Sequence, residues 1–500
     1  MLGCKICLDL HFICYSLPIN QLIVPFIGIM SRKQATQWIV GIIFFIVGNL
    51  AIGKVEGAPI LKQVHVVTRH GSRLELYKNA ETLAEAGSAA LTPLGEKECY
   101  DTGVWLRDFF RNETNFFDVF NVSKVSLLSS WYDRTVVSAN SLLLGLFPDS
   151  ARDPLNLSFI PGTPANVPVY TLSLEDDVMI HGYDKCAAGM NLEGIYLSSP
   201  WLNLQSENSA LLDTLANFSY FQQYLVNGTL PLYNLWNVFD AISVAKTECG
   251  ADPTSPYCTP YLADLLTTSE WTHLQSLTRA SEEMKYGGTT TGPLVGGNLL
   301  FQILATMSNT NLSSSNEMEH FYLYSAHYPT LLGLFATLKD PRVDYSALPP
   351  YASALIFQLF QDSVTLDQTV EVIFKPGENG THQVLSLGQL CSFQTCTLDQ
   401  LTALLPNLSM VQWCTTCQNH EAKPCMVIDG SAVSSPPLCS GFSSGVVAGT
   451  AVGTFFAGML GALLLFYLLK GAKSTINVTH GDAAREGGPA ASENQPALVA

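Results

Sequence analysis

Apolar and polar positions along the chain follow three patterns, and each predicts a different kind of element. Short apolar runs rich in β-branched and aromatic residues, at 63–68, 124–129, 320–325 and 369–374, predict buried strands. Helical spacing follows two of them, at 136–147 and at 330–338, where Pro329 stands as a first-turn residue. Between residues 161 and 298 the texture changes to mainly helical spacing, at 211–225, 233–245 and 261–285, broken by Gly and Pro turns. The third pattern is the uncharged apolar stretch 445–469, long enough to span a bilayer as a helix.

These patterns predict an α/β core from residues 58–160 and 299–410, with an inserted, mainly helical lobe at 161–298. Residues 58–444 are more than one hydrophobic core usually holds, so two lobes are expected. A Cys-rich stalk at 411–444 leads to the transmembrane helix, and Lys470 and Lys473 place the tail, 470–500, on the cytoplasmic side. At the other end, residues 1–57 form a signal region. Met30 starts a basic n-region, Ser31-Arg32-Lys33, followed by an uncharged h-region and short residues at Val55-Glu56-Gly57, so Met30 is the expected true start. The chain is thus expected to be a single-pass type I membrane protein. Gly449 and Gly453 form a small-residue pair that would let two such helices associate as a homodimer.

Composition sharpens this picture. Eight Asn-x-Ser/Thr sequons, at Asn112, Asn121, Asn156, Asn217, Asn227, Asn311, Asn379 and Asn407, predict a glycosylated luminal or extracellular surface. Ten of the 13 cysteines lie between Cys99 and Cys439, an even number suited to disulfides in an oxidising compartment, with the pairing left open. Cys414-x-x-Cys417 has no second pair at zinc spacing and is expected to enter disulfides. A net charge of -17 on a chain with only 13% charged residues disfavours nucleic acid as a partner, so a positive pocket would be a local exception.

Such a pocket is written into Val64 to Arg73. The apolar run closes on Arg69-His70-Gly71-Ser72-Arg73, which delivers an imidazole between two guanidinium groups to a turn. A phosphate monoester repels nucleophiles, and arginine neutralises its oxygens with planar, paired donors. Nearby positive charge also keeps an imidazole neutral, and so nucleophilic, in mild acid. The second strand ends near Asp133-Arg134 and the third at His327. In α/β sheets ligands bind beyond the carboxyl ends of strands, so three such ends predict one shared anion pocket. No Gly-rich nucleotide cradle appears, and the chemistry requires no cofactor or metal. His181, His273, His382 and His420 sit in loops or polar contexts without metal-ligand spacing, and His65 falls inside the first strand.

These blocks resemble the histidine acid phosphatase family, in its membrane-bound, type I branch. Arg69-His70-Gly71-Ser72-Arg73 is similar to the family signature, with Leu74 and Glu75 where a proline commonly follows; Asp133 to Ala139, running on to Gly145-Leu146-Phe147-Pro148, matches a second block, and Tyr324-Ser325-Ala326-His327 a third. The resemblance implies a phosphoglycerate-mutase-like core sheet with helices on both faces. It also implies acid phosphatase activity on phosphate monoesters, with His70 as the nucleophile that forms a phosphohistidine, and Arg69, Arg73, Arg134 and His327 gripping the phosphate. An endosomal, lysosomal or cell-surface membrane is the expected location.

One position departs from the family pattern. Where the family usually places an Asp after the third-block histidine, as proton donor to the leaving group, this chain has Tyr328. Asp133, Asp176, Asp177 and Glu319 are the substitute acids considered, with Asp133 expected to be structural, holding its turn or Arg134. Two functions therefore fit the sequence: a working phosphatase, or an impaired member that binds phosphorylated ligands as a receptor glycoprotein.

Overall fold

Alternation along the first apolar run sends Val64 and Val66 into one buried cluster and Val67 into another, so the strand has a core on each face. The computed structural model describes residues 57–428, apart from 87–88, 119–120, 148–166, 311, 313–317, 340–346, 378 and 392–395. Residues 1–56, Asn156, Asn311, Cys439, the expected membrane span and the tail lie outside the described residues.

Ten strands follow in chain order: β1 (Pro59–Arg69), β2 (Tyr77–Lys78), β3 (Glu85–Ala86), β4 (Val125–Ser129), β5 (Val169–Thr171), β6 (His320–Ala326), β7 (Ala354–Asp362), β8 (Gln368–Lys375), β9 (Gln383–Val384) and β10 (Cys396–Thr397). β2 and β3 pair as a short separate hairpin; the main sheet runs β10-β8-β7-β1-β6-β4-β5, with β9 beside β8. Its β1, β6, β4 and β5 are parallel, and β7, β8 and β10 run antiparallel. Register matters most here. Arg69 lies opposite Ala326, and Ser129 opposite Ser325, so three parallel strands end level and whatever follows them meets at one edge.

Helices cover both faces, as the resemblance implied. On one side lie α1 (Pro93–Phe110) and α2 (Asp133–Leu146), whose Leu106, Phe110, Leu142 and Leu146 pack with Val64, Val66 and Phe321. On the other lie α7 (Gly292–Asn309) and α8 (Tyr328–Leu338). Thr92 caps α1 by accepting the Gly95 N–H at 3.2 Å, with Pro93 in the first turn. Between β5 and β6 the chain is helical, with α3 (Ser199–Glu207), α4 (Ser209–Ala216), α5 (Leu235–Ala251) and α6 (Thr268–Tyr286) the longest pieces before α7. Leu215, Phe221, Ile242 and Leu274 of this segment share one buried cluster with Val67, Leu355 and Phe357 of the sheet. The change of texture seen in the sequence is a change of element within a continuous core.

Four disulfides join Cys186 to Cys417, Cys249 to Cys258, Cys391 to Cys396, and Cys414 to Cys425. Cys414 and Cys417 therefore bond elsewhere rather than to each other. Helix α9 (Met410–Cys417), in the segment expected as a stalk, is held to the body by the Cys186 link and by Trp413 Nε1 donating to the Leu294 carbonyl at 2.8 Å. The expectation that the cysteines pair throughout fails at Cys99: it is a free, buried thiol on α1 whose pKa burial pushes up to about 12. The described sequon residues Asn112, Asn121, Asn217, Asn227, Asn379 and Asn407 are all exposed. Among the described residues no helix is long and apolar enough to cross a membrane.

Gly71 shows how tightly the strand edge meets α1. A Cβ at this position would lie 2.1 Å from the Gly95 carbonyl oxygen, a backbone atom that cannot swing away. Gly71→Ala is expected to cost about 1–3 kcal/mol of stability, read as a lower denaturation midpoint. An unchanged midpoint would show that the two segments separate freely.

Candidate active site

The level strand ends set the site. One residue past β1 and β6, the His70 N–H donates to the Ala326 carbonyl at 3.1 Å, and one past β4 the Ser130 N–H donates to the Ser325 carbonyl at 3.1 Å. His70, Ser130 and His327 thus leave the sheet side by side. The rings of His70 and His327 stand 5.5 Å apart, edge to face. Arg134 enters from the first turn of α2, and its Nη2 lies 3.4 Å from His327 Nδ1. Arg69, His70, Arg73, Arg134 and His327 are each at most 7% exposed, so the five side chains expected to act together do share one buried edge.

His70 is oriented by its own loop. Nδ1 lies 2.8 Å from the Gly71 carbonyl oxygen, and a carbonyl only accepts, so Nδ1 carries the proton and Nε2 keeps its lone pair. Burial first, and then Arg134, Arg69, Arg73 and His327, hold the His70 pKa well below the ordinary imidazole value. Burial, then Arg134, His181, Arg73 and Arg69, lower His327 likewise. Both ring nitrogens of His327 have partners, Ser130 Oγ at 2.8 Å from Nε2 and Arg134 at Nδ1, so it braces Arg134 as much as it faces the cup.

Each arginine is anchored on one side and open on another. Arg73 makes a bidentate pair with Asp240 on α5, at 2.8 and 2.9 Å, which raises its pKa further. Arg134 pairs through Nη2 with Glu85 on β3, and its guanidinium lies 4.2 Å from the Tyr132 ring centre. Arg69 donates through Nη1 to the Pro349 carbonyl at 2.6 Å and lies 4.0 Å from the Tyr351 ring centre. What remains is Nε of all three and Nη1 of Arg134, buried donors with no acceptor among the described residues. Four such donors around an uncharged imidazole form an anion-binding cup.

Tyr328 does not face this cup as a free acid. Its hydroxyl donates to Glu282 on α6 and accepts from Lys78, while Glu282 also pairs with Lys285. Burial and Glu282 hold its pKa well above the usual phenol value. The substitute acids are placed poorly. Asp133 is exposed in the first turn of α2, and Arg134 pairs with Glu85 in its stead. Asp176 pairs with Lys423 on the surface, and Glu319 sits with Lys62 before the start of β6, at the far end of the sheet. Asp177 is buried, but it accepts the Ile180 and His181 N–H groups in a turn.

Several residues of the site were not singled out in the sequence. Glu85 and Asp240, the counter-charges of two arginines, carry no local signal; only the pairing itself identifies them. His181, read as a loop histidine, is buried, 5.0 Å from the His327 ring, and bonded to Tyr183 at 2.6 Å and Asp184 at 2.9 Å. His382 packs against Trp105 and Phe109 instead. A cleft of about 470 Å³, lined by Phe239, Trp271, Pro350 and Tyr351 among others, reaches the cup at Arg69. Among the described residues, no group of three or more His, Cys, Asp or Glu side chains is placed to hold a metal ion.

Comparison with known proteins agrees with this geometry. Among curated sequences, the chain is 25% identical over 360 residues to a putative acid phosphatase 5 of Caenorhabditis elegans, covering 71% of this chain and 79% of that one. It is 27% identical over 365 residues to the lysosomal acid phosphatase of Xenopus laevis, covering 72% and 79%. Among solved structures, a Hafnia alvei phytase bound to myo-inositol hexakis sulphate superposes with a TM-score of 0.53, covering 71% of this chain and 98% of that one; at 14% identity the likeness is one of fold. The family model of the histidine phosphatase superfamily, branch 2, matches residues 76–375. That span opens just beyond Arg73 and takes in Arg134 and His327. With more than half of its length matched and a histidine set among arginines at its sheet edge, the chain belongs to branch 2 of the histidine phosphatase superfamily.

Proposed function

We propose that the protein is an acid phosphatase that hydrolyses phosphate monoesters through a phosphohistidine on His70. The observation that carries this is the free lone pair of His70 Nε2 beside the four open donors of Arg69, Arg73 and Arg134. Those donors bind the phosphoryl oxygens and stabilise the charge spread over them in the transition state, where most phosphoryl-transfer catalysis arises. His70 Nε2 forms the bond to phosphorus as the ester P–O bond breaks with its electron pair on the leaving oxygen. Water then attacks phosphorus, the N–P bond breaks, and the pair returns to Nε2. His327 braces Arg134 and completes the cup. The relatives named acid phosphatases support the same chemistry.

The engaged hydroxyl of Tyr328 leaves the usual acid position without a free proton. The enzyme should therefore prefer esters whose leaving oxygen needs little help, because a positioned general acid is worth roughly 100- to 10,000-fold. The same feature favours the second function, a phospho-ligand receptor, which saturable phosphate binding without turnover would identify. We place the catalytic domain on the luminal or extracellular side of an endosomal, lysosomal or cell-surface membrane, glycosylated and anchored by residues 445–469. The exposed sequons, the four disulfides and the apolar stretch support this.

At pH 4.5 the wild-type ectodomain should turn over an aryl phosphate, with His70→Ala slower by more than about 1,000-fold in kcat/KM. Equal rates for the two proteins would end the phosphohistidine proposal. Activity should persist at this pH because the lowered His70 pKa keeps Nε2 unprotonated, whereas an ordinary imidazole, with a pKa of about 6.5, would be about 99% protonated there. A rate that falls tenfold per pH unit below 6.5 would mean that His70 titrates normally. Treatment of the cell-expressed protein with an N-glycosidase should raise its gel mobility, with the protein in the membrane fraction before and after; a soluble, unshifted band would contradict the assigned topology.

A further inference from the structure

The segment Pro349 to Ser353, just before β7, is fastened to the catalytic loop at several points. Arg69 Nη1 donates to the Pro349 carbonyl at 2.6 Å, the Arg69 N–H to the Ser353 carbonyl at 2.9 Å, and the Ala352 N–H to the His70 carbonyl at 3.2 Å. Ala352 itself has φ 53°, a left-handed conformation that a residue with a Cβ adopts only under constraint. The side chain these constraints aim is Tyr351. Its ring lies 4.0 Å from the Arg69 guanidinium and 5.8 Å from the His70 ring. Its hydroxyl is buried and has no hydrogen-bond partner among the described residues.

A buried tyrosine normally satisfies its hydroxyl. Tyr328, whose ring centre lies 5.4 Å from the Arg69 guanidinium, shows the ordinary outcome, with its hydroxyl bonded to Glu282 and Lys78. Tyr351 is the exception, and it stands where the cup opens. Of the five cup residues only Arg69 lines the 470 Å³ cleft, and Tyr351 lines it too. Phosphoryl transfer requires the leaving oxygen to lie in line with the attacking His70 Nε2 across phosphorus. With the organic group in the cleft that Phe239 and Trp271 line, the oxygen that joins it to phosphorus would fall between cleft and cup, where Arg69 and Tyr351 lie.

We propose that Tyr351 is a catalytic residue whose hydroxyl donates a hydrogen bond to the leaving oxygen of the phosphate monoester. The proposal rests on the phosphatase function above. As the P–O bond breaks, its electron pair stays on that oxygen, and the hydrogen bond from the Tyr351 hydroxyl shortens as negative charge grows there, without transfer of the proton. The proton that finally neutralises the alcohol comes from the phosphoryl group of the monoanionic substrate or from water. Burial raises the Tyr351 pKa, which keeps the hydroxyl a donor throughout the acidic range. Donation of this kind eases departure of the leaving group where the family's acidic residue is replaced by Tyr328.

Tyr351→Phe removes only a hydroxyl that no group among the described residues uses and keeps the ring against Arg69, so its melting temperature should equal or exceed that of wild type. Measured with a naphthyl phosphate and with glycerol phosphate at pH 4.5, kcat/KM should fall less than about 3-fold for the aryl ester and about 10- to 100-fold for the alkyl ester, mostly in kcat, since a more basic leaving oxygen depends more on the donor. Equal losses on both substrates would place the hydroxyl on a phosphoryl oxygen and overturn the assignment, as would no loss on either. A wild-type protein that cleaves neither ester would overturn the phosphatase function and this role with it.

Discussion

Burying positive charge is the constraint on which the rest of this structure depends. Arg69, Arg73 and Arg134 are almost fully out of water at the end of the sheet, and isolated buried charges cost several kcal/mol each unless compensated. The fold compensates them incompletely. Arg73 is met by Asp240 and Arg134 by Glu85, while Arg69 receives a carbonyl and two aromatic faces. The donors left over are what an anion finds on entering. A cup with every guanidinium fully paired would be more comfortable and would bind nothing.

The carboxylates around the site, counter-charges of Arg73 and Arg134 among them, come from parts of the chain far from the arginines in sequence. Asp240 and Glu248 lie on α5, Glu282 on α6, and Glu85 on the small β2–β3 hairpin. Glu248 accepts from Ser72 at 2.6 Å and Thr92 at 2.7 Å, directly beneath the catalytic loop. The helical insertion is therefore more than a cover on a finished site. Without α5 the loop from Arg69 to Arg73 would lose the carboxylates that hold its guanidinium and its serine, and the loop would have to move toward water.

That arrangement explains what was legible in the sequence. Residue types suited to phosphoryl chemistry stood at the ends of apolar runs, and Arg69, His70, Arg134 and His327 could be read because each ends or follows a strand or opens a helix. The four strands read from the sequence were legible within a few residues, β6 because it is a short β-rich run closed by a proline-led helix, whereas the nine-residue β7 beside β1 was not read as a strand. Glu85, Asp240, His181 and Tyr351 were not legible. Glu85 and Asp240 pair across large sequence separations, and a Glu in a polar loop looks like any solvated Glu until its partner is known; His181 and Tyr351 meet the site through ring contacts with His327 and Arg69, equally distant along the chain. The substitute acids drawn from sequence failed for the same reason: Glu319 is near a motif in sequence but sits at the wrong end of its strand. Cys99 was likewise counted with the disulfides because parity has no knowledge of burial.

The buried histidines carry a cost that bears on where such a protein can work. His65, inside β1, has its pKa lowered to about 3 by burial and by His320. An unfolded imidazole takes up its proton near pH 6.5, so the stability linked to His65 is intact above that pH and is lost progressively as the pH falls toward 3. At pH 4.5 the loss is on the order of a few kcal/mol, and His70 and His327 act in the same direction. Glu85 opposes them, because Arg134 and the neighbouring cations hold its pKa near 2 and its ion pair persists where ordinary carboxylates protonate. Four disulfides limit the unfolded chain at any pH. An anion in the cup would add to the folded side alone, by an amount set by its concentration relative to its Kd and not by how far the neutral histidines have weakened the fold.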